Sequence, residues 1–161
     1  MQSDLVLRQQ VLDLLGGGNA HLGLEEAVIG FPLEQINTHP PNVSYTPWHL
    51  LEHIRIAQWD ILEFMRSPGY VSPAWPEGYW PGEEETTDEV GWRETIQAIQ
   101  ADLESVKELV RDPAQDLTAE LAHAPGYAIL REALLVADHN AYHLGEFAVL
   151  RQVMDNWVVS E

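Results

Sequence analysis

The segment from Thr46 to Arg66 reads TPWHLLEHIRIAQWDILEFMR and decides the fold class. Thr46 offers a hydroxyl that can cap a helix, and Pro47 suits the first helical turn, where its missing N–H costs nothing. Apolar residues then recur every three or four positions along one face: Leu50, Ile54, Ala57, Ile61 and Phe64. Ser67-Pro68-Gly69 interrupts the pattern. The segment therefore predicts an amphipathic helix that packs against other helices.

Three further segments show helical spacing. Residues 4–15 form the first and stop at three consecutive glycines. A capping box, Thr86 with Glu89, opens the next helix, which Asp112-Pro113 closes. The last helix is predicted from about Tyr127 to Val153. With no convincing strand and no internal repeat, these patterns predict an all-α protein, an antiparallel four-helix bundle in a single domain over residues 1–161.

A long segment, residues 67–87, separates the second and third predicted helices. Four prolines exclude a regular helix there, yet the segment is rich in aromatic residues: Tyr70, Trp75, Tyr79 and Trp80. A loop of this length inside a compact domain is usually functional or packed down as a unit. We call residues 67–87 the aromatic loop. It is expected either to cover one end of the bundle or to form a wall of a pocket.

The composition excludes several classes of partner and of metal site. The 161 residues include 26 acidic and 8 basic side chains, a formal charge of −18. Such a surface repels phosphate backbones and anionic lipid, so neither a nucleic acid nor a membrane is an expected partner. The absence of cysteine excludes disulfides and thiolate metal sites. With no signal-peptide pattern and no apolar run long enough to span a bilayer, the expected location is the cytoplasm.

Four of the seven histidines form two H-x-x-x-H pairs, His49/His53 and His139/His143. Residues four apart lie on one face of a helix, close enough for two imidazoles to share a cation. His53 and His143 also belong to apolar stripes, where an imidazole needs a partner. The spacing alone leaves two interpretations open: a metal site, or histidines with ordinary hydrogen bonds in the core or at the surface.

Two segments, YTPWHLLEHI at residues 45–54 and DHNAYHLGE at residues 138–146, resemble the signature regions of the DinB-like superfamily, which includes the YfiT-like metalloenzymes. The resemblance implies a four-helix fold with a three-histidine metal site. Carried over residue by residue, the ligands fall on His53, His139 and His143. His49 matches no ligand of the family and becomes a peripheral neighbour.

The resemblance also implies a divalent ion, zinc or nickel, and a small-molecule substrate. Three imidazoles leave a coordination position open, which is typical of catalytic metals. The expected function is a transferase that uses a low-molecular-weight thiol, or a hydrolase. The alternative is a non-catalytic bundle that binds a metal or a ligand. Asp60 and Glu146 are candidates for supporting or acid–base roles, beside the simpler interpretation that they are solvated or hydrogen-bonded carboxylates.

A homodimer is the expected state of assembly. Six tryptophans and five tyrosines are many for a chain of this length. Trp157, followed by Val158 and Val159, lies beyond the predicted end of the last helix with no obvious core to enter. Apolar surface of this kind is often buried in an interface, and two-fold symmetry is the commonest arrangement. The alternative is that the C-terminal tail folds back over its own helices.

Overall fold

The computed structural model describes residues 2–18 and 20–157. Over these residues the protein is mostly helical, with four long helices and one short one. The helices are α1 (Gln2–Gly16), α2 (Leu24–Val28), α3 (Pro47–Arg66), α4 (Glu89–Arg111) and α5 (Ile129–Val153). Two short strands, β1 (Glu120–Leu121) and β2 (Ala124–Ala128), pair antiparallel between α4 and α5. Helix α3 packs against α4 and α5, and α1 packs against the same two helices.

Local sequence signals set both ends of α3. The Thr46 hydroxyl accepts a hydrogen bond from the backbone N–H of His49 at 3.1 Å, and Pro47 occupies the first helical position. The helix ends before Ser67, whose N–H still donates to the Glu63 carbonyl. These are the boundaries that the Thr-Pro and Ser-Pro-Gly signals predict, and they fix which side chains of α3 face its neighbours.

The apolar stripes form two clusters. One joins α1, α3, α4 and α5, with Leu62, Val106 and Val136 fully buried. The other lies nearer α2 and includes a group of aromatic rings, in which the ring centroid of Phe31 is 5.3 Å from that of Trp92 and 5.4 Å from that of Phe147. Burial of these side chains provides the main stabilisation of the helical assembly.

The chain that follows α5 packs against its own helices as far as Trp157, the last described residue. Arg151 is completely buried and donates hydrogen bonds to the carbonyls of Ala27, Ile29 and Asn156. The ring of Trp157 packs against this guanidinium, with its centroid 4.3 Å from Cζ. Trp157 therefore has a partner within its own chain, whereas Val158 and Val159 lie outside the described residues.

Three expectations about the elements are wrong. Asp88 caps α4, where its carboxylate accepts from the Gly91 N–H at 2.9 Å, and the expected capping box starting at Thr86 is not used. A reason lies in tertiary contacts: the neighbouring Thr87 exchanges two backbone hydrogen bonds with the Asn37 side chain. The β1–β2 hairpin was not expected, and α5 begins at Ile129 because Tyr127 belongs to β2.

No helix within the described residues is long and apolar enough to cross a membrane.

Candidate metal centre

Three histidines from two helices meet at one point. His53 extends from α3, and His139 and His143 extend from successive turns of α5. The Nε2 atom of His53 is 3.1 Å from Nε2 of His143 and 3.2 Å from Nε2 of His139. One ligand atom from each of the three lies within 4.8 Å of the other two. We call these residues the histidine cluster.

Hydrogen bonds on the far side of two rings determine their tautomers. The Nδ1 atom of His53 is 2.8 Å from the backbone carbonyl oxygen of Tyr79, and Nδ1 of His143 is 2.7 Å from Oε2 of Glu146. A carbonyl oxygen can only accept, and a carboxylate favours an N–H donor, so we assign the proton to Nδ1 in both rings. In each neutral ring, Nε2 then carries a lone pair.

This assignment places two lone pairs opposite each other at 3.1 Å, which is repulsive unless a cation lies between them. The cation can be a proton or a metal ion. Two nitrogens bound to one tetrahedral zinc at about 2.0–2.1 Å lie roughly 3.3 Å apart, close to the observed distances. The donor set, three imidazole nitrogens and no thiolate, also suits a divalent transition-metal ion. The cluster therefore fits a divalent ion.

Burial keeps the cluster in the form that binds metals. Burial, followed by charge repulsion from the neighbouring His143 and His53, lowers the pKa of His139 to about 4. Burial also lowers the pKa of His53, although its hydrogen bond to the Tyr79 carbonyl opposes this effect. Neutral imidazole is the ligand form, so His139 and His53 are ready to bind a metal at neutral pH without losing a proton.

A second hydrogen bond holds the carboxylate behind His143. The Tyr45 hydroxyl donates to Oε1 of Glu146, while Oε2 faces His143 Nδ1. Burial raises the pKa of Tyr45, and the adjacent Glu146 raises it further. Tyr45 therefore stays protonated and holds Oε1 of Glu146, while His143 holds Oε2. Such a carboxylate–histidine pair orients the ring and increases the basicity of its other nitrogen.

The aromatic loop covers one side of the cluster and leaves another side open. Trp80 stacks on the His53 ring, with the centroids 3.9 Å apart and the planes within 4°. On the open side lies a cleft with a volume of about 390 Å³, to which all three histidines contribute. Its remaining walls are mainly apolar and aromatic and include Trp75, Tyr79 and Trp80, so the aromatic loop forms a wall of a pocket.

The family model for the DinB superfamily matches residues 23–147, which is more than half of the chain. The chain belongs to the DinB superfamily. No curated protein and no solved structure matches it. The matched range contains α3 and the part of α5 that carries the histidine cluster, so the family assignment and the geometry concern the same residues.

In this DinB-superfamily protein His49 lies outside the cluster. Its side chain is 3% exposed, Nδ1 accepts from the Thr46 N–H at 3.4 Å, and Nε2 lies 2.8 Å from the Glu85 carbonyl oxygen. Because Nδ1 accepts, Nε2 carries the proton and donates to that carbonyl. Both ring nitrogens are engaged, so His49 anchors the aromatic loop to the start of α3.

Asp60 also contacts the aromatic loop. Its Oδ2 accepts a hydrogen bond from the Tyr79 hydroxyl at 2.7 Å. Burial, followed by this bond, raises the pKa of Tyr79 to about 12, so the hydroxyl remains a donor. Tyr79 therefore contacts α3 twice, through its hydroxyl at Asp60 and through its carbonyl at His53. The role of the Tyr79 carbonyl could not be predicted from the sequence, because every residue has a backbone carbonyl. The role of the Tyr45 hydroxyl beside Glu146 was not predicted either, although Tyr45 begins the first segment that resembles the family.

Proposed function

We propose that this DinB-superfamily protein is a metal-dependent enzyme in which His53, His139 and His143 bind a divalent ion, zinc or nickel. The observation that carries the proposal is the convergence of three Nε2 atoms at the wall of an open cleft. Within the described residues, no fourth histidine or carboxylate joins the group. Three protein ligands and an open position are typical of catalytic metal sites.

The proposed reaction is a transfer that uses a low-molecular-weight thiol, with hydrolysis as the nearest variant. A bound divalent ion would acidify a thiol or a water molecule and polarise a carbonyl group. Two groups of the chain orient the histidines for this role. The Tyr79 carbonyl keeps the His53 proton on Nδ1, and the Glu146 carboxylate keeps the His143 proton on Nδ1. Trp80 shields one face of the His53 ring from water, and the cleft admits a small molecule from the other side.

The proposal includes the antiparallel four-helix arrangement predicted from the sequence, with the histidine cluster between two of its helices. The contacts of α3 and of α1 with both α4 and α5 support it. Such bundles commonly build metal sites from side chains on facing helices.

The alternative, a non-catalytic metal- or ligand-binding protein, would be favoured by a fourth protein ligand that closes the coordination sphere. His49 is the nearest candidate in sequence, but its two ring nitrogens bond to Thr46 and to the Glu85 carbonyl. The open cleft beside the cluster therefore favours the enzyme.

Cobalt substitution tests the proposal, because a thiolate that binds cobalt produces a charge-transfer band in the near ultraviolet. We expect this band when small thiols are added to the cobalt-loaded protein, and metal-dependent turnover when electrophiles are added to the thiol complex. His139→Ala should abolish both, and His123→Ala, which changes a histidine outside the cluster, should retain both. Absence of the band and of turnover in the wild-type protein would contradict the proposal.

A further inference from the structure

His139 differs from the other two histidines of the cluster in the group behind its ring. Its Nε2 lies 3.2 Å from Nε2 of His53, so Nδ1 is the nitrogen on the far side. Nδ1 is buried, and the ring forms a side-chain hydrogen bond with Asn140. This bond opposes the lowering of the His139 pKa, so it favours the protonated ring. The Asn140 atom must then be an acceptor, the amide oxygen Oδ1.

A second buried amide continues from Asn140 into the core. Nδ2 of Asn140 donates to Oε1 of Gln58 at 2.7 Å, and Nε2 of Gln58 donates to the backbone carbonyl oxygen of Ile99 at 2.7 Å. Gln58 is completely buried. These hydrogen bonds connect α4 to α3 and α3 to α5, and they end at His139. We call the side chains of Gln58 and Asn140 the amide pair.

The Ile99 carbonyl fixes the orientation of both amides. A carbonyl oxygen can only accept, so Gln58 must turn its amide nitrogen toward Ile99 and its oxygen toward Asn140. Asn140 must then present its nitrogen to Gln58, which leaves Oδ1 for His139. Rotation of both amides by half a turn would place two oxygens where the 2.7 Å hydrogen bond to Ile99 now lies. A backbone group that cannot rotate therefore selects one orientation of the pair.

This orientation opposes a competing form of the histidine cluster. Because the His53 proton is on Nδ1, Nε2 of His53 directs a lone pair toward Nε2 of His139 at 3.2 Å. A proton on Nε2 of His139 would relieve the repulsion between the two nitrogens, but it would also occupy the position of the proposed ion. Oδ1 of Asn140 can accept only from Nδ1–H, so the amide pair disfavours this blocked form.

We propose that Gln58 and Asn140 are positioning residues that hold the His139 proton on Nδ1, so that Nε2 remains free for a metal ion. Neither residue lines the cleft, and Gln58 acts only through the orientation of Asn140. The consequence for metal binding rests on the proposed function. The tautomer of His139, in contrast, is a property of the zinc-free protein.

The tautomer of His139 in zinc-free protein is the first test. Long-range 1H–15N correlation spectra of the imidazole rings distinguish an Nδ1–H ring from an Nε2–H ring, and His139→Ala identifies the signals of His139. We expect the Nδ1–H form in the wild-type protein at neutral pH. The Nε2–H form in that protein would overturn the proposal.

Two variants remove one amide each. Asn140→Leu and Gln58→Met should both shift His139 toward the Nε2–H form. The zinc affinity, measured by competition with a chelator, should fall by about tenfold or more in Asn140→Leu, as is usual when a ligand loses its outer partner. Asn156→Leu is the control, because it removes a buried amide that donates to Gln35 outside the cluster. An unchanged tautomer in either amide variant would overturn the proposal.

A third variant separates the positioning role from packing. Asn140→Asp supplies a carboxylate, which can only accept when ionised and so holds the Nδ1–H form without Gln58. Gln58→Met should therefore change the tautomer and the zinc affinity in the wild-type background and change neither in the Asn140→Asp background. Equal effects in the two backgrounds would assign Gln58 to packing alone and overturn the proposal. Circular dichroism checks the fold of each variant.

The outcomes also distinguish this inference from the proposed enzyme. An Nδ1–H ring that depends on the amide pair, in a protein that binds no divalent ion, would leave the tautomer assignment intact and contradict the metal-dependent activity. Metal-dependent thiol turnover by a protein whose zinc-free form has an Nε2–H ring at His139 would contradict the positioning role alone.

Discussion

At the scale of single residues, two histidines of the cluster differ in the group that accepts a hydrogen bond from Nδ1. His53 Nδ1 donates to the neutral carbonyl of Tyr79, whereas His143 Nδ1 donates to the carboxylate of Glu146. A negatively charged acceptor increases the electron density at the opposite nitrogen more than a carbonyl does. We therefore expect His143 to be the stronger donor to a metal. Tyr45 holds the other oxygen of Glu146 and keeps the carboxylate aligned with the ring.

The first prediction concerns this carboxylate. Glu146→Gln should weaken zinc binding by about tenfold to a hundredfold, because removal of an outer hydrogen-bond partner typically has an effect of this size. Competition against a chelator of known affinity measures the dissociation constant. Glu108→Gln, which makes the same change in formal charge at an exposed position of α4, is the control. An equal change in both variants would show that Glu146 does not act through His143.

At the scale of elements, α3 and the aromatic loop form one structural unit. Three groups on α3 contact the loop: His49 bonds to the Glu85 carbonyl, His53 to the Tyr79 carbonyl, and Asp60 to the Tyr79 hydroxyl. Since His49 also pairs with Thr46 at the start of the helix, the cap, the loop and the candidate metal ligand are connected through adjacent turns.

The second prediction tests the start of this unit. Thr46→Ala removes the hydroxyl that accepts from the His49 N–H at 3.1 Å. The free energy of unfolding should fall by about 1 kcal/mol, the usual effect of losing an N-terminal cap. Urea denaturation followed by circular dichroism provides the measurement. Thr38→Ala, at an exposed position in the connection before α3, should change it much less. Equal losses in the two variants would argue against a capping role.

Local signals were sufficient for some elements and insufficient for others. Both ends of α3 could be predicted because Thr46-Pro47 and Ser67-Pro68-Gly69 act through the adjacent backbone. The start of α4 could not, because Thr86 and Asp88 both satisfy the local rule and a distant residue, Asn37, engages the segment between them. The β1–β2 hairpin is too short to produce a recognisable alternation.

In the candidate site, too, some features follow from local sequence and others depend on tertiary contacts. Spacing along α3 places His49 and His53 on one face without distinguishing them, and only the resemblance singled out His53. The structure explains the difference through backbone carbonyls of the aromatic loop, which accept from Nε2 of His49 and from Nδ1 of His53. Such partners have no signature in the side-chain sequence, so the tautomers of these rings could not be predicted.

At the scale of the whole molecule, two clusters of buried apolar side chains join the helices of the described residues. Our third prediction is that treatment with a chelator leaves the far-UV circular dichroism spectrum helical, because apolar burial and not coordination stabilises the fold. A spectrum of a disordered chain after metal removal would instead make the metal structural.

The fourth prediction concerns assembly. We expect a homodimer, with a mass by light scattering at micromolar concentration near twice 18.2 kDa. Trp157 does not need a partner subunit, because its ring packs on Arg151 of its own chain. Support comes instead from α5, where Leu135, Tyr142 and Val149 recur every seven residues with 38%, 70% and 55% of their surfaces exposed. A mass near 18.2 kDa would contradict the prediction.

The metal content of purified, dialysed protein decides whether the histidine cluster binds a divalent ion. We expect about one divalent ion per chain in the wild-type protein, and loss of that ion in His53→Ala, His139→Ala and His143→Ala. His49→Ala should retain the ion in its folded fraction, because His49 bonds to Thr46 and Glu85 and not to the cluster. A wild-type protein that takes up no divalent ion, or an equal loss of metal in His49→Ala, would contradict a metal site formed by His53, His139 and His143.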